Sequence, residues 1–175
     1  YLARTLIEMG EYESAIQHLD EDIRLLKNFG TFTKKELFFA EKRKGAFLNE
    51  NKISVSDQPN LIDACLVTGF PYTYLDMENG PLQIFEKLIR KGIPVRRLGS
   101  AAIDLAWVAC GRFDGFYEHK LEAWDSAAGY LLVEEAGGKV TDFTGSKFSP
   151  YQHRILATNG KIHDELLKVV KGGEV

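Results

Sequence analysis

WDSAAGYLLVEEAGG, Trp124 to Gly138, has a polar and acidic start, a run of small residues, an apolar middle and a double-glycine stop. The pattern predicts a helix that opens at Trp124-Asp125 and closes at Gly137-Gly138, because glycine tolerates the left-handed conformation that ends helices. Ala127, Ala128 and Gly129 carry almost no side chain, so another backbone or a ligand can approach the first turn closely. Asp125 lies at the positive end of the helix dipole, a favourable place for a carboxylate. Two readings of it stand side by side: a helix cap, or a ligand for a hard cation such as Mg²⁺. Trp124 reads as a core anchor.

Upstream, ELFFAEKRKGAFLNENKISVS (Glu36 to Ser56) reads as short strands with turns at Lys44-Gly45 and Asn49-Glu50-Asn51. The charges of Glu41 to Lys44 are a solvated turn or, less simply, a phosphate-steering patch. Ala64 to Gly69 predicts a buried strand. Met77 to Lys91 predicts an amphipathic helix with Leu82, Phe85, Leu88 and Ile89 as its core face and Pro81 in its first turn. Val95 to Leu98 reads as a strand and Ala101 to Cys110 as an alanine-rich helix capped by Ser100. Phe113 to Glu118 alternates as a strand, Lys139 to Asp142 and Arg154 to Thr158 follow as strands, and Ile162 to Val170 closes as a helix. The alternation argues a layered mixed α/β fold. Asp104 and Asp142 receive no role, and Asp142 looks like a turn residue.

At 175 residues the chain can bury a real core. Its 45% hydrophobic and 27% charged content is ordinary for a globular protein, and a net charge of −3 argues against nucleic acid or an anionic membrane as partner. No run of eighteen apolar residues and no signal peptide is seen, so the expected location is cytoplasmic. The start at Tyr1 suggests a fragment or a processed product. Cys65 and Cys110 sit in apolar runs and read as buried free thiols.

Residues 1–30 have another character. Leu2, Leu6 and Ile7, then Tyr12, Ala15, Ile16, Leu19, Ile23 and Leu26, form two helical stripes broken at Gly10-Glu11. LIEMGEYESAIQHLDEDIRLL resembles part of a tetratricopeptide repeat but carries Asp22 where that repeat wants a small residue. One partial repeat cannot bury its own faces. A homodimer or protein partner through these helices is one expectation, a foreign or mis-assembled segment another.

From about Thr33 onward the chain resembles the inositol monophosphatase family. The likeness rests on WDSAAGYLLVEEAGGKVTDFTG, on RRLGSAAIDLAWVACGRFDGFYEHKLEAWD (Arg96 to Asp125) and on the strands of Glu36 to Ser56, in the family's order. It implies the C-terminal half of a Mg²⁺-dependent phosphatase of inositol or related sugar phosphates, preceded by a helical hairpin, with residues 31–175 as the phosphatase-like domain. It implies that Asp125 holds metal, that Glu118 accepts hydrogen bonds from substrate hydroxyls, and that Gly99, Ser100 and Ala101 line the pocket. Without the family, Ser100 is as readily an N-cap and Glu118 a solvated strand end. The family's Asp-Pro-x-Asp-Gly-Thr motif, which together with a Gly-Glu motif supplies most metal ligands, is absent, and residues near Gly30 to Thr33 mark the change of character. The catalytic carboxylates are therefore expected outside this chain, and the rival reading is a non-catalytic scaffold.

Overall fold

The computed structural model describes residues 36–77 and 80–173; the helix pair expected in residues 1–30 lies outside them. Three short strands come first: β1 (Phe38–Glu41), β2 (Gly45–Leu48) and β3 (Asn51–Lys52), an antiparallel meander. The turns lie at residues 42–44 and 49–50, where Arg43, Asn49 and Glu50 take positive φ. Side chains of the first turn are exposed, and Lys44 pairs with Glu41 at 2.5 Å.

The main sheet has five strands: β4 (Leu66–Thr68), β5 (Val95–Arg96), β6 (Gly115–His119), β7 (Lys139–Thr141) and β8 (Arg154–Thr158). Their order is β5-β4-β6-β8-β7. β5, β4 and β6 run parallel; β8 is antiparallel to both β6 and β7. Among the described residues there are four α-helices: α1 (Pro81–Arg90), α2 (Ala101–Ala109), α3 (Ala123–Glu135) and α4 (His163–Val170).

The pleat sends neighbouring residues to opposite faces, and the two cores follow from it. Val67, Phe116, Ile155 and Ala157 face α2 and α3, packing on Leu105, Val108, Leu132 and Val133. Leu66, Tyr117 and Leu156 face α1 and α4, packing on Ile84, Leu88, Leu166 and Val169. The outer side of α3 carries the small sheet, with Ala46 buried beneath it. Four layers result: helix pair, five-stranded sheet, helix pair, three-stranded sheet. α2 and α3 approach so closely that a Cβ on Gly129 would lie 2.5 Å from Leu105. The Glu135 carboxylate accepts the N–H groups of Arg43 and Gly45 at 2.7 and 2.9 Å, tying the first turn of the small sheet to the end of α3.

Several expectations need correction. Helix α1 begins only at Pro81, where proline's fixed φ suits a first turn; Tyr74–Asp76 forms a separate 3-10 turn. Its buried face is Pro81, Ile84 and Leu88 with Phe85 beside them, while Leu82 and Ile89 are exposed. Trp124 is no core anchor, being 67% exposed at the start of α3. That helix starts at Ala123 and ends at Glu135, one or two residues before the expected bounds. Ser100 occupies the N-cap position of α2, but its side chain makes no capping hydrogen bond. Cys65 and Cys110 are free, as read, yet half-buried rather than buried.

Candidate functional site

Strand β4 is the pivot. The chain leaves it through α1 to β5 on one side and returns through α2 to β6 on the other. Such a reversal opens a crevice at the carboxyl ends of the two diverging strands, the usual ligand position in open α/β sheets. Thr68 pairs with Tyr117 at that end, which sets Gly69 beside Glu118. A Cβ on Gly69 would overlap the Glu118 carboxylate. Only a residue without a side chain leaves room for that group. Thr68 Oγ1 donates to the Tyr117 carbonyl at 2.6 Å and locks the two strand ends together.

Glu118 lies two residues after Phe116 on β6, so the pleat brings it out on the same side of the sheet, toward α2 and α3. It is half-buried, and its pKa is pushed up to about 7. Burial is the main cause; the charges of Asp104 and Asp125 add to it, and Arg97 opposes it. Asp104, on the first turns of α2, is fully buried, and among the described residues neither of its carboxyl oxygens has a hydrogen-bond partner. Burial raises its pKa to about 7. Ser126 Oγ on α3 is likewise buried without a partner. Arg97 stands over the Phe70 ring, 4.2 Å from its centroid. Charged side chains from α2, from α3 and from the segment after β5 thus bear on the end of one strand.

Asp125 is the third residue of α3. It is half-buried, and its Oδ2 accepts the Glu122 N–H at 3.0 Å. Glu122, not Asp125, holds the N-cap position, and one Asp125 oxygen serves it from the third helical residue. Gly99 takes φ 88°, a left-handed conformation that disfavours any side chain, and turns the chain sharply into Ser100 and Ala101. Ala101 opens α2, whose leading N–H groups, as in any helix, lack intrahelical acceptors and can meet an anion or a hydroxyl. Ser100 is half-buried with extended backbone.

The oxygen donors at this end have the right chemistry for Mg²⁺ but not the number. Among the described residues no group of three or more His, Cys, Asp or Glu side chains is placed to hold a metal ion. Near-octahedral Mg²⁺ needs more protein or substrate oxygens than Asp125 provides. Asp104, Gly69 and Arg97 went unassigned in the sequence. For Asp104 there was a signal, a single acid inside the apolar stretch AAIDLAWVA. For Gly69 there was none, because its role exists only across the β4–β6 pairing.

Residues 29–172 match the model of the inositol monophosphatase family. The chain belongs to that family. Similar proteins include Nus factor SuhB of Pseudomonas aeruginosa, 42% identical over 140 residues, which cover 79% of this chain and 52% of the relative. An inositol-1-monophosphatase of Synechocystis is 47% identical over 133 residues, 76% of this chain and 46% of the relative. The solved inositol monophosphatase of Anabaena superposes with a TM-score of 0.75 at 44% identity, over 79% of this chain and 55% of that one. The chain thus spans about half the length of the curated relatives it matches.

Proposed function

We propose that this chain carries the alcohol-binding end of a Mg²⁺-dependent phosphate-monoester hydrolase acting on inositol monophosphate or a related polyol phosphate. The observation that carries the reading is the placement of Glu118 at the carboxyl end of β6, against Gly69 and at a reversal of strand order, in a member of this family. Glu118 accepts hydrogen bonds from the polyol hydroxyls. Gly99, Ser100 and Ala101 form the pocket wall, with the start of α2 offering N–H donors. Asp125 would supply one of the metal ligands. Mg²⁺, when bound in the complete site, supplies an activated water and offsets the charge gathering on phosphorus. The remaining ligands come from sequence that the relatives carry beyond the matched half. In this reading residues 31–175 are the phosphatase-like domain, residues 1–30 a separate helical segment suited to a protein partner, and the location is cytoplasmic; among the described residues no helix is long and apolar enough to cross a membrane.

A second reading, a non-catalytic scaffold derived from the family, has two observations in its favour. The described residues hold no three-ligand metal group, and three of the relatives are named Nus factors or putative Nus factors. Phosphate release separates the two. The chain is mixed with a polypeptide comprising the first half of a family enzyme, and release from inositol 1-phosphate is followed with and without Mg²⁺. The hydrolase reading expects Mg²⁺-dependent release that Asp125→Asn abolishes. A complex that forms but releases no phosphate, or release that survives Asp125→Asn, contradicts it.

A further inference from the structure

We propose that Asp104 is a positioning residue for Glu118, the buried acidic neighbour that decides whether Glu118 meets a polyol hydroxyl as acceptor or as donor. The inference rests on the reading of Glu118 as the hydroxyl-binding carboxylate. Helix α2 packs on β6, and the pleat points Glu118 to the α2 side. Asp104 is the fully buried acid of that helix, with both oxygens lacking a partner. A buried carboxyl with no hydrogen bond is costly to keep, and none of the described hydrogen bonds or ion pairs of the fold uses it. A structural role should have left it paired.

The charged groups facing Glu118 are few and can be named. Asp104 comes from α2, Asp125 from α3, and Arg97 from the segment between β5 and α2. Asp104 and Glu118 both have pKa values pushed up to about 7, Asp104 by burial and Glu118 by burial and then Asp104. Two acids in mutual range titrate as a pair. Near neutral pH the pair holds about one proton. When it lies on Asp104, Glu118 is a carboxylate and accepts from a hydroxyl. When it lies on Glu118, that side chain donates instead. The two facing acids also make the crevice hostile to a second anionic group, so the chemistry favours a neutral polyol there over one bearing another phosphate.

The test is a carboxyl-¹³C NMR titration of the full 175-residue chain, labelled at Asp and Glu, with myo-inositol as the probe. The expected result is that Glu118 titrates in two coupled steps, and that Asp104→Asn leaves one step with its midpoint lower by about one unit. The pH dependence of the myo-inositol response at Glu118 moves with it. Because a buried substitution such as Asp104→Asn can unfold a chain, the reciprocal variant is measured as well: Glu118→Gln must lower the Asp104 midpoint by a similar amount. Unchanged Glu118 titration in folded Asp104→Asn, or unchanged Asp104 titration in Glu118→Gln, overturns the inference. A myo-inositol response that persists elsewhere on the chain in Glu118→Gln instead removes the hydroxyl-binding reading, and this inference with it.

Discussion

Two of the buried titratable side chains, on opposite faces of the main sheet, contrast with each other. His163, at the start of α4, is fully buried, with Nδ1 2.9 Å from Thr158 Oγ1 and Nε2 3.0 Å from Thr141 Oγ1. Asp104, in α2 on the other face of the sheet, is equally buried and has no partner for either oxygen among the described residues. His163 bridges β7, β8 and α4 and explains itself as scaffold. Its pKa is pulled down to about 4, by burial first, so it stays neutral and uses both nitrogens. Asp104 explains nothing about the fold. Between these two groups burial is the same and only the hydrogen bonding differs.

The largest effect should come from breaking the satisfied site. His163→Ala leaves two threonine hydroxyls without their ring partner and a cavity between α4 and the sheet, and should cost about 3 kcal/mol in chemical denaturation. A loss below about 1 kcal/mol would mean that the bridge contributes little. Next in size is the opposite sign at the unsatisfied site. An acid whose folded pKa is raised supports the fold fully below the ordinary carboxylate range, and that support is lost as pH rises to about 7. Asp104→Asn should therefore stabilise the chain at pH 8, on the order of 2 kcal/mol, and have little effect near pH 4. His163 runs the other way. Its contribution is whole above about pH 6.5 and disappears as pH falls toward 4. Thermal melts of the wild-type chain and Asp104→Asn across about pH 4 to 8 check the sign at Asp104, and a gap that narrows as pH rises would contradict it.

A smaller loss, about 1 kcal/mol, is expected for Glu135→Ala, which releases the Arg43 and Gly45 N–H groups from their shared carboxylate. Smallest in stability, but not in function, is Gly69→Ala. The new methyl meets the far end of the flexible Glu118 side chain rather than backbone, so Glu118 swings aside and the fold survives. Melting should barely change while the NMR response to myo-inositol is lost; an unchanged response would separate Gly69 from the site.

Much of the fold could be read from the chain because its pattern is local. Strand β8 falls on Arg154 to Thr158 as expected, and the segments for α2, α3 and α4 were found within a residue or two. The failures have physical causes. Leu82 and Ile89 fit a helical stripe but lie outside the narrower face that the sheet covers. Trp124 is large and apolar, yet it stands exposed at the start of α3, where none of the described layers covers it. At the candidate site, Glu118, Asp125 and the Gly99 turn could be picked out because the family's motifs carry them. Gly69 and Asp104 could not, because the first matters only through the β4–β6 register and the second only through what fails to touch it.

If satisfaction marks the scaffold, the unsatisfied acidic end should bind ligand and the satisfied histidine end should not. A backbone-amide NMR titration of the chain with inositol 1-phosphate and Mg²⁺ tests this most directly. Shifts are expected at Gly69, Gly99 to Ala101, Glu118 and Asp125, with none at Thr141, Thr158 or His163. Shifts centred on His163 and its threonines, with the carboxyl ends of β4 and β6 silent, would contradict it.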